Sequence, residues 1–346
     1  QLGYNIIRSC AHTKLRYLCS TTPGVNARDF DDAIRQQFLE IVRAPDVDDA
    51  FLQSSCGAGL PRYEYLAPLL FGESQTLSSP VARPAPVESA GQCHERALAD
   101  RNPSLLDRCA LSAKGNHATL WLKSDVASAK SSPGEFVDAL RYRCRIPIVR
   151  ERTTCFCGEV LPPTHSSSTH LLTCSSVTGF TRTHRHNLVC AAIARASAAA
   201  SVPVIPEPAF YVYAENERNR PDFTFLSATP LAIDVTIVSP AASAGAAARL
   251  AADEKRNKHA DACRAAGHDF LPVVIEIDGH CDVGVDRLAS FLAENCANRN
   301  LSGEIARELK FGIATAVARG NAGILRIAAD RLRRSASYLF AGAPAF

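Results

Sequence analysis

The sequence predicts a mixed α/β protein. A helical N-terminal region and a small cysteine- and histidine-bearing module precede a mixed central sheet flanked by helices. Three observations carry that prediction. Residues 223–226 and 231–238 are short β-branched and aromatic runs separated by Ser227-Ala228-Thr229-Pro230, the pattern of a hairpin. Residues 245–266 are rich in alanine and free of proline, which favours helix, and residues 270–277 are a near-continuous apolar run, as in strands buried on both faces. Elsewhere apolar residues recur at helical spacing, as in Phe30, Ile34, Phe38, Ile41 and Val42, and again in Ile305, Leu309, Ile313, Val317, Ile324 and Leu325.

The chain of 346 residues can hold two or three domains, and 47% hydrophobic with 21% charged residues is a globular balance. A net charge of +3 says little about partners, but its distribution does. Between residues 139 and 187, Arg141, Arg143, Arg145, Arg150, Arg152, Arg182 and Arg185 stand against only Glu151 and Glu159. Such a patch tracks phosphates, and it reads equally as a solvated arginine face. Thirteen cysteines would suit a secreted scaffold, yet no charged-then-apolar leader opens the chain. No apolar run approaches the ~20 residues that span a membrane. An intracellular, reducing compartment is expected, with most cysteines as small core residues. The absence of methionine suits a fragment of a longer polyprotein.

In chain order, residues 1–71 read as helical, 72–92 as a Ser-, Pro- and Ala-rich linker, and 93–150 as a helical linker carrying most of the arginine patch. Within it lie the only tryptophan, Trp121, and an amphipathic helix over 134–144 with Phe136, Val137 and Leu140 on one face. Residues 151–180 hold Cys155-Phe156-Cys157-Gly158 and then His170 and Cys174 one helical turn apart. Two thiolates on a tight turn with that His and Cys can close a tetrahedral Zn²⁺ site, although C-x-C is tighter than the usual spacing. His165 and Cys144 compete as ligands. All four positions would be protein ligands, so such a metal is structural. Arg185-His186-Asn187 opens a predicted helix over 188–200, where a helix start can contact phosphate or simply be capped. A strand over 202–210 carries Glu207, either a metal ligand or an edge marker between Pro206 and Pro208.

The densest chemistry lies in residues 220–259. A three-residue connection at 227–229 sets Asp222 opposite Asp234, while Leu231, Ile233, Val235 and Ile237 share the other face. Two carboxylates that close repel unless a proton or cation relieves them, and their hard oxygens suit Mg²⁺. On the following helix Lys255, Lys258 and His259 share one face, so a lysine can stabilise charge developing on a phosphate. The bland alternative is an Asp pair satisfied by turn amides beside a solvated basic helix. Glu276 and Asp278 read as surface or turn residues. Helices are expected over 286–296 and, as one or two, over 304–334, ending in Arg331, Arg333 and Arg334. No internal repeat is visible.

These residues resemble a known family. Arg220-Pro221-Asp222, Ile233-Asp234-Val235-Thr236 and Glu254-Lys255-Arg256-Asn257-Lys258, in that order, look like the restriction-endonuclease-like PD-(D/E)xK domain at the C-terminus of site-specific non-LTR retrotransposon reverse transcriptase polyproteins. In that family the usual lysine has moved to the following helix, and Thr236 stands in its former place. The family also carries a Cys-Cys-His-Cys knuckle and an Arg-His-Asn signature before its nuclease, similar to 155–174 and 185–187 here. Residues 1–21 and 116–122 are similar to segments following the polymerase, and Phe30-Asp31-Asp32 does not match the polymerase metal motif.

The resemblance implies a zinc knuckle at 151–180, a nuclease domain at 184–280 and C-terminal helices at 281–346. It implies structural Zn on Cys155, Cys157, His170 and Cys174, and catalytic Mg or Mn on Asp222 and Asp234, assisted by Lys255 or Lys258. Arg141, Arg143, Arg145, Arg150, Arg152, Arg185 and His186 are the expected nucleic-acid contacts. The expected activity is nicking of target DNA in the nucleus to prime reverse transcription of the element RNA by a polymerase outside this chain. The rival from another class is a nucleic-acid-binding module without catalysis, for target positioning or as a decayed copy. A protein scaffold with coincidental motifs is a third reading.

Overall fold

The computed structural model describes residues 131–143, 146–211, 220–240 and 245–341, together with 120–123 and positions 36 and 40. The expected N-terminal helices, the 72–92 linker, Cys144 and Arg145 lie outside the described residues, and among 93–130 only the turn Leu120–Lys123 is described. Helix α1 is Pro133–Arg143. A two-residue hairpin of β1 (Thr153–Thr154) and β2 (Val160–Leu161) leads into α2 (His165–Thr173) and α3 (Ser175–Ala200). The larger sheet comprises β3 (Val204–Pro206), β4 (Phe223–Phe225), β5 (Leu231–Val238) and β6 (Asp269–Glu276). Helix α4 (Ala246–Ala265) joins β5 to β6, and α5 (Val283–Glu294) and α6 (Ser302–Ala341) follow.

The fold is mixed α/β, as expected. The sheet runs β3-β4-β5-β6, with β3, β4 and β5 antiparallel and β5 and β6 parallel. An α-helical crossover is what a parallel pair needs, and α4 supplies it. Phe223 pairs with Ile233 and Phe225 with Leu231, so one step further Asp222 faces Asp234. The expected opposition of the two carboxylates is therefore met, although the connection between strands is 226–230 rather than 227–229. The expected strand over 202–210 shrinks to Val204–Pro206, because Glu207 takes φ 43° and leaves the strand geometry.

Both faces of the sheet are covered. On one face Ile233, Val235, Val273 and Ile275 pack with Val189, Ile193 and Ala196 of α3, with Leu288 and Leu292 of α5, and with Leu309 and Ile313 of α6. On the other, Ala248, Ala251 and Ala252 of α4 lie on Val274, and Cys263 packs with Ala232 and Tyr211. Small side chains on α4 permit that close layer. The stretch over 304–334, expected as one helix or two, is one helix, α6, serving two cores. Its first half belongs to the sheet core, and Ile324, Leu325, Ala328 and Leu332 pack with Leu161, Leu171, Leu172 and Val177 of the cysteine module.

One expectation fails by burial. Glu276 is buried at 1% exposure, not on the surface; its Oε1 accepts from the Ala248 amide (3.3 Å), serving the free N-terminal donors of α4. Asp278 lies in the turn after β6, as expected; it is half-buried, and its Oδ1 accepts from the Tyr142 hydroxyl (2.7 Å). Trp121 is buried edge-on to Phe136, with ring centroids 5.6 Å apart.

Candidate active site and metal centre

Asp222 and Asp234 meet on the rim where β4 and β5 diverge. The Asp222 Oδ2 accepts from the Val235 amide (2.6 Å) and lies 3.3 Å from His186 Nε2. Asp234 is buried at 5% exposure under α4; its Oδ2 is ion-paired to Lys255 Nζ at 2.7 Å, and Thr236 Oγ1 donates to the same oxygen at 3.4 Å. His259 Nε2 stands 3.6 Å from Asp234 Oδ1. Lys255 and His259, spaced i and i+4, thus both reach the carboxylate, whereas Lys258 is exposed. Of the two lysines expected to assist, Lys255 is the one ion-paired to Asp234. Burial raises the pKa of Asp234 against the pull of Lys255, and the facing Asp222 charge adds to the rise. Burial, then the Lys258 and Lys255 charges, lower His259 to about 4.

His186 sits on the sheet side of α3. Its Nε2 also lies 3.2 Å from the Val235 carbonyl, and its Nδ1 is 3.5 Å from Asn187 Oδ1 and 3.6 Å from Cys190 Sγ. The Asp222 contact, then that of Cys190, raise its pKa to about 11. The helix expected to open at Arg185-His186-Asn187 in fact begins at Ser175, so these residues lie in mid-helix, away from its free N-terminal amides. His186 therefore points at the carboxylate rim.

Arg185 was expected on a phosphate and is instead 3% exposed. Its Nη1 donates to Asn321 Oδ1 (2.7 Å), while Asn321 Nδ2 donates to the Ile277 carbonyl (2.7 Å). Burial lowers its pKa to about 10. Arg143 is likewise buried, with Nη1 3.5 Å from the Asp278 carbonyl. Neither guanidinium faces an approaching backbone phosphate. Arg141 Nη2 donates to the Pro147 carbonyl (3.3 Å). Arg150 and Arg152 are exposed and, with Arg141, Arg326 and Arg333, line an open groove between α1, the β1 strand and residues 325–333 of α6.

The cysteine module assembles as its spacing suggests. Cys155 and Cys157 sit on the β1–β2 turn, where Gly158 takes φ 92° and the Cys155 amide donates to the Glu159 carbonyl (2.8 Å). His170 lies on α2, and Cys174 ends α2 and caps α3. Cys155 Sγ and Cys174 Sγ are 3.7 Å apart, and Cys157 Sγ and His170 Nε2 are 3.4 Å apart. All four ligand atoms lie within 4.8 Å of one another, a cluster able to hold a metal ion such as zinc. Edges of a zinc tetrahedron are about 3.8 Å between sulfurs and about 3.6 Å between sulfur and nitrogen, so the donors fit. Burial lifts the Cys155 thiol to about 11. Burial acts on Cys174 too, but the Cys157 thiol and the amides of Ser176 and Val177 bring it below its ordinary value. His165, the competing ligand, stacks on Tyr142 at 4.9 Å between centroids.

Sequence reasoning missed Cys190, 3.8 Å from His186 Nε2, and the contact of His186 with Asp222. The i, i+4 pair His186 and Cys190 was the available signal. A scan against protein-family models and a search of curated proteins return no match. No helix among the described residues is long and apolar enough to cross a membrane.

Proposed function

We propose that this chain is the metal-dependent DNA endonuclease segment of a non-LTR retrotransposon polyprotein, acting in the nucleus on target DNA. The observation that carries this reading is the juxtaposition of Asp222, Asp234 and Lys255 on one rim of a mixed sheet. The donor set suits a hard cation: two facing carboxylates repel, and their oxygens are the hard ligands that Mg²⁺ takes. Asp222 and Asp234 would hold Mg²⁺ or Mn²⁺, which when bound polarises a phosphoryl oxygen and lowers the pKa of water. Lys255 donates toward the negative charge that develops on the scissile phosphate, its ammonium held in place by Asp234 Oδ2. Thr236, where the common motif carries lysine, donates to Asp234 and holds its orientation.

Zinc on Cys155, Cys157, His170 and Cys174 would be structural, since protein donors fill the four positions. Arg150 and Arg152 line the surface offered to the DNA backbone, beside the knuckle. The element RNA would be engaged through the rest of the polyprotein.

The test is nicking of supercoiled plasmid with Mg²⁺ or Mn²⁺ by the parent chain and by Asp234→Ala. Loss of nicking with DNA binding retained supports the assignment. Equal nicking by both chains sinks it, and binding without nicking in both leaves a positioning module.

A further inference from the structure

Beside the carboxylate rim lies a second set of metal-ligating side chains, which shares only Asp222 with the nuclease reading. His186, Cys190 and Asp222 each offer one ligand atom, and these three atoms lie within 4.8 Å of one another. The imidazole nitrogen is 3.3 Å from the carboxylate oxygen and 3.8 Å from the sulfur. With Zn–N and Zn–O near 2.1 Å and Zn–S near 2.3 Å, a tetrahedral ion holds such atoms about 3.4 and about 3.6 Å apart. These two edges match to within a few tenths of an ångström, and the sulfur also lies 3.6 Å from His186 Nδ1. Two of the donors are one helical turn apart in the middle of α3, and the third is anchored by the Val235 amide. The site is half-buried rather than sealed, so an ion and one exchangeable ligand can enter.

We infer that His186, Cys190 and Asp222 form a binding site for a borderline-soft divalent ion of the Zn²⁺ type, distinct from the Cys155–Cys174 cluster, and that its occupancy brakes the nuclease. Binding displaces the proton on the ligating nitrogen of His186, and the Cys190 thiol gives up its own proton to become a ligand. A nitrogen, sulfur and oxygen set favours Zn²⁺ over Mg²⁺, which takes oxygen almost alone. The brake follows from the shared atom: Asp222 Oδ2 engaged by zinc is withdrawn from a hard cation held between Asp222 and Asp234. This half of the inference rests on the proposed endonuclease activity; the site itself does not.

Cobalt(II) titration of the reduced full chain reads the site directly, through thiolate-to-cobalt absorption and the d–d bands of tetrahedral cobalt. The parent chain should take two equivalents and Cys190→Ala one, the retained knuckle spectrum showing that the variant is folded. A single equivalent in the parent, or two in Cys190→Ala, overturns the site. Should Cys190→Ala lose both, Cys190→Ser repeats the count with the side-chain volume kept. In the plasmid assay at millimolar Mg²⁺, micromolar Zn²⁺ should slow the parent by roughly tenfold or more and leave Cys190→Ala unaffected. Equal slowing of both chains overturns the brake. If neither chain nicks DNA, the endonuclease reading fails while the cobalt count still decides the site.

Discussion

Asn321→Ala tests the claim that Arg185 is a structural cation rather than a phosphate ligand. Asn321 bridges two elements, accepting from Arg185 of α3 and donating to the carbonyl that follows β6, both at 2.7 Å. It is 3% exposed, so water cannot enter its place without rearrangement. Losing a hydrogen bond to a charged group costs about 1.5–3 kcal/mol, and leaving a buried carbonyl unsatisfied costs about 1–3 kcal/mol. The two terms overlap, so we expect about 3 kcal/mol lost, read from the urea midpoint of the full chain at unchanged slope. Arg185→Met removes the buried charge and leaves only Asn321 Oδ1 orphaned, costing about 1–3 kcal/mol. In a double-mutant cycle the pair should couple by about 1 kcal/mol or more. DNA affinity supplies the second readout: a lost phosphate contact would flatten the log–log salt slope by about 0.9, and Arg185→Met should leave it unchanged. A near-neutral Asn321→Ala, or a flattened slope in Arg185→Met, would refute the structural role.

Further predictions follow from other sites. Lys255→Ala should reduce the nicking rate by about 10²-fold or more while Lys258→Ala stays within a few fold, measured under single-turnover conditions; the reverse order removes Lys255 from the mechanism. Arg150→Ala with Arg152→Ala should weaken DNA binding and flatten the salt slope by up to about 2, as two lost phosphate contacts require. A zinc chelator should expose the apolar layer of Leu161, Leu171 and Leu172 beside the knuckle, seen as dye binding and proteolysis around 153–164. Acid should destabilise the fold through His259. Its folded pKa of about 4 lies below the ordinary 6.5, so the unfolded chain binds the extra proton and stability falls from about pH 6.5 to about pH 4. Urea midpoints across that window should move less in His259→Gln than in the parent.

The carboxylate pair was legible in the sequence because hairpin register is local. Once Phe223–Phe225 and Leu231–Val238 pair, alternation alone sets Asp222 against Asp234. Helix α4 and strand β6 were legible for similar reasons, through composition and apolar run length. The start of α3 was not. Residues 175–187 carry few apolar side chains, and the helix is held there by contact with α6, whose Gly320 brings its backbone against Arg185. A Cβ at Gly320 would meet Arg185 Cγ at 2.5 Å, an approach that no local pattern announces. Burial of Glu276 was equally hidden: a glutamate at the end of an apolar run resembles a strand terminus until α4 is known to leave its N-terminal amides above it.

The same packing explains why the site has the membership it has. His186 follows Arg185, and the Arg185–Asn321–Ile277 chain of hydrogen bonds fixes α3 against α6 and against the exit of β6. With that height fixed, the neighbouring imidazole is held over the rim, 3.3 Å from Asp222 and 3.2 Å from the Val235 carbonyl. Helix α6 extends from this point to the cysteine module, where Ile324, Leu325 and Leu332 share that module's core. A buried arginine next to a site-facing histidine is therefore a coupling between packing and chemistry. Loosening Asn321 would first cost stability and then let His186 drift from Asp222, with no site residue altered.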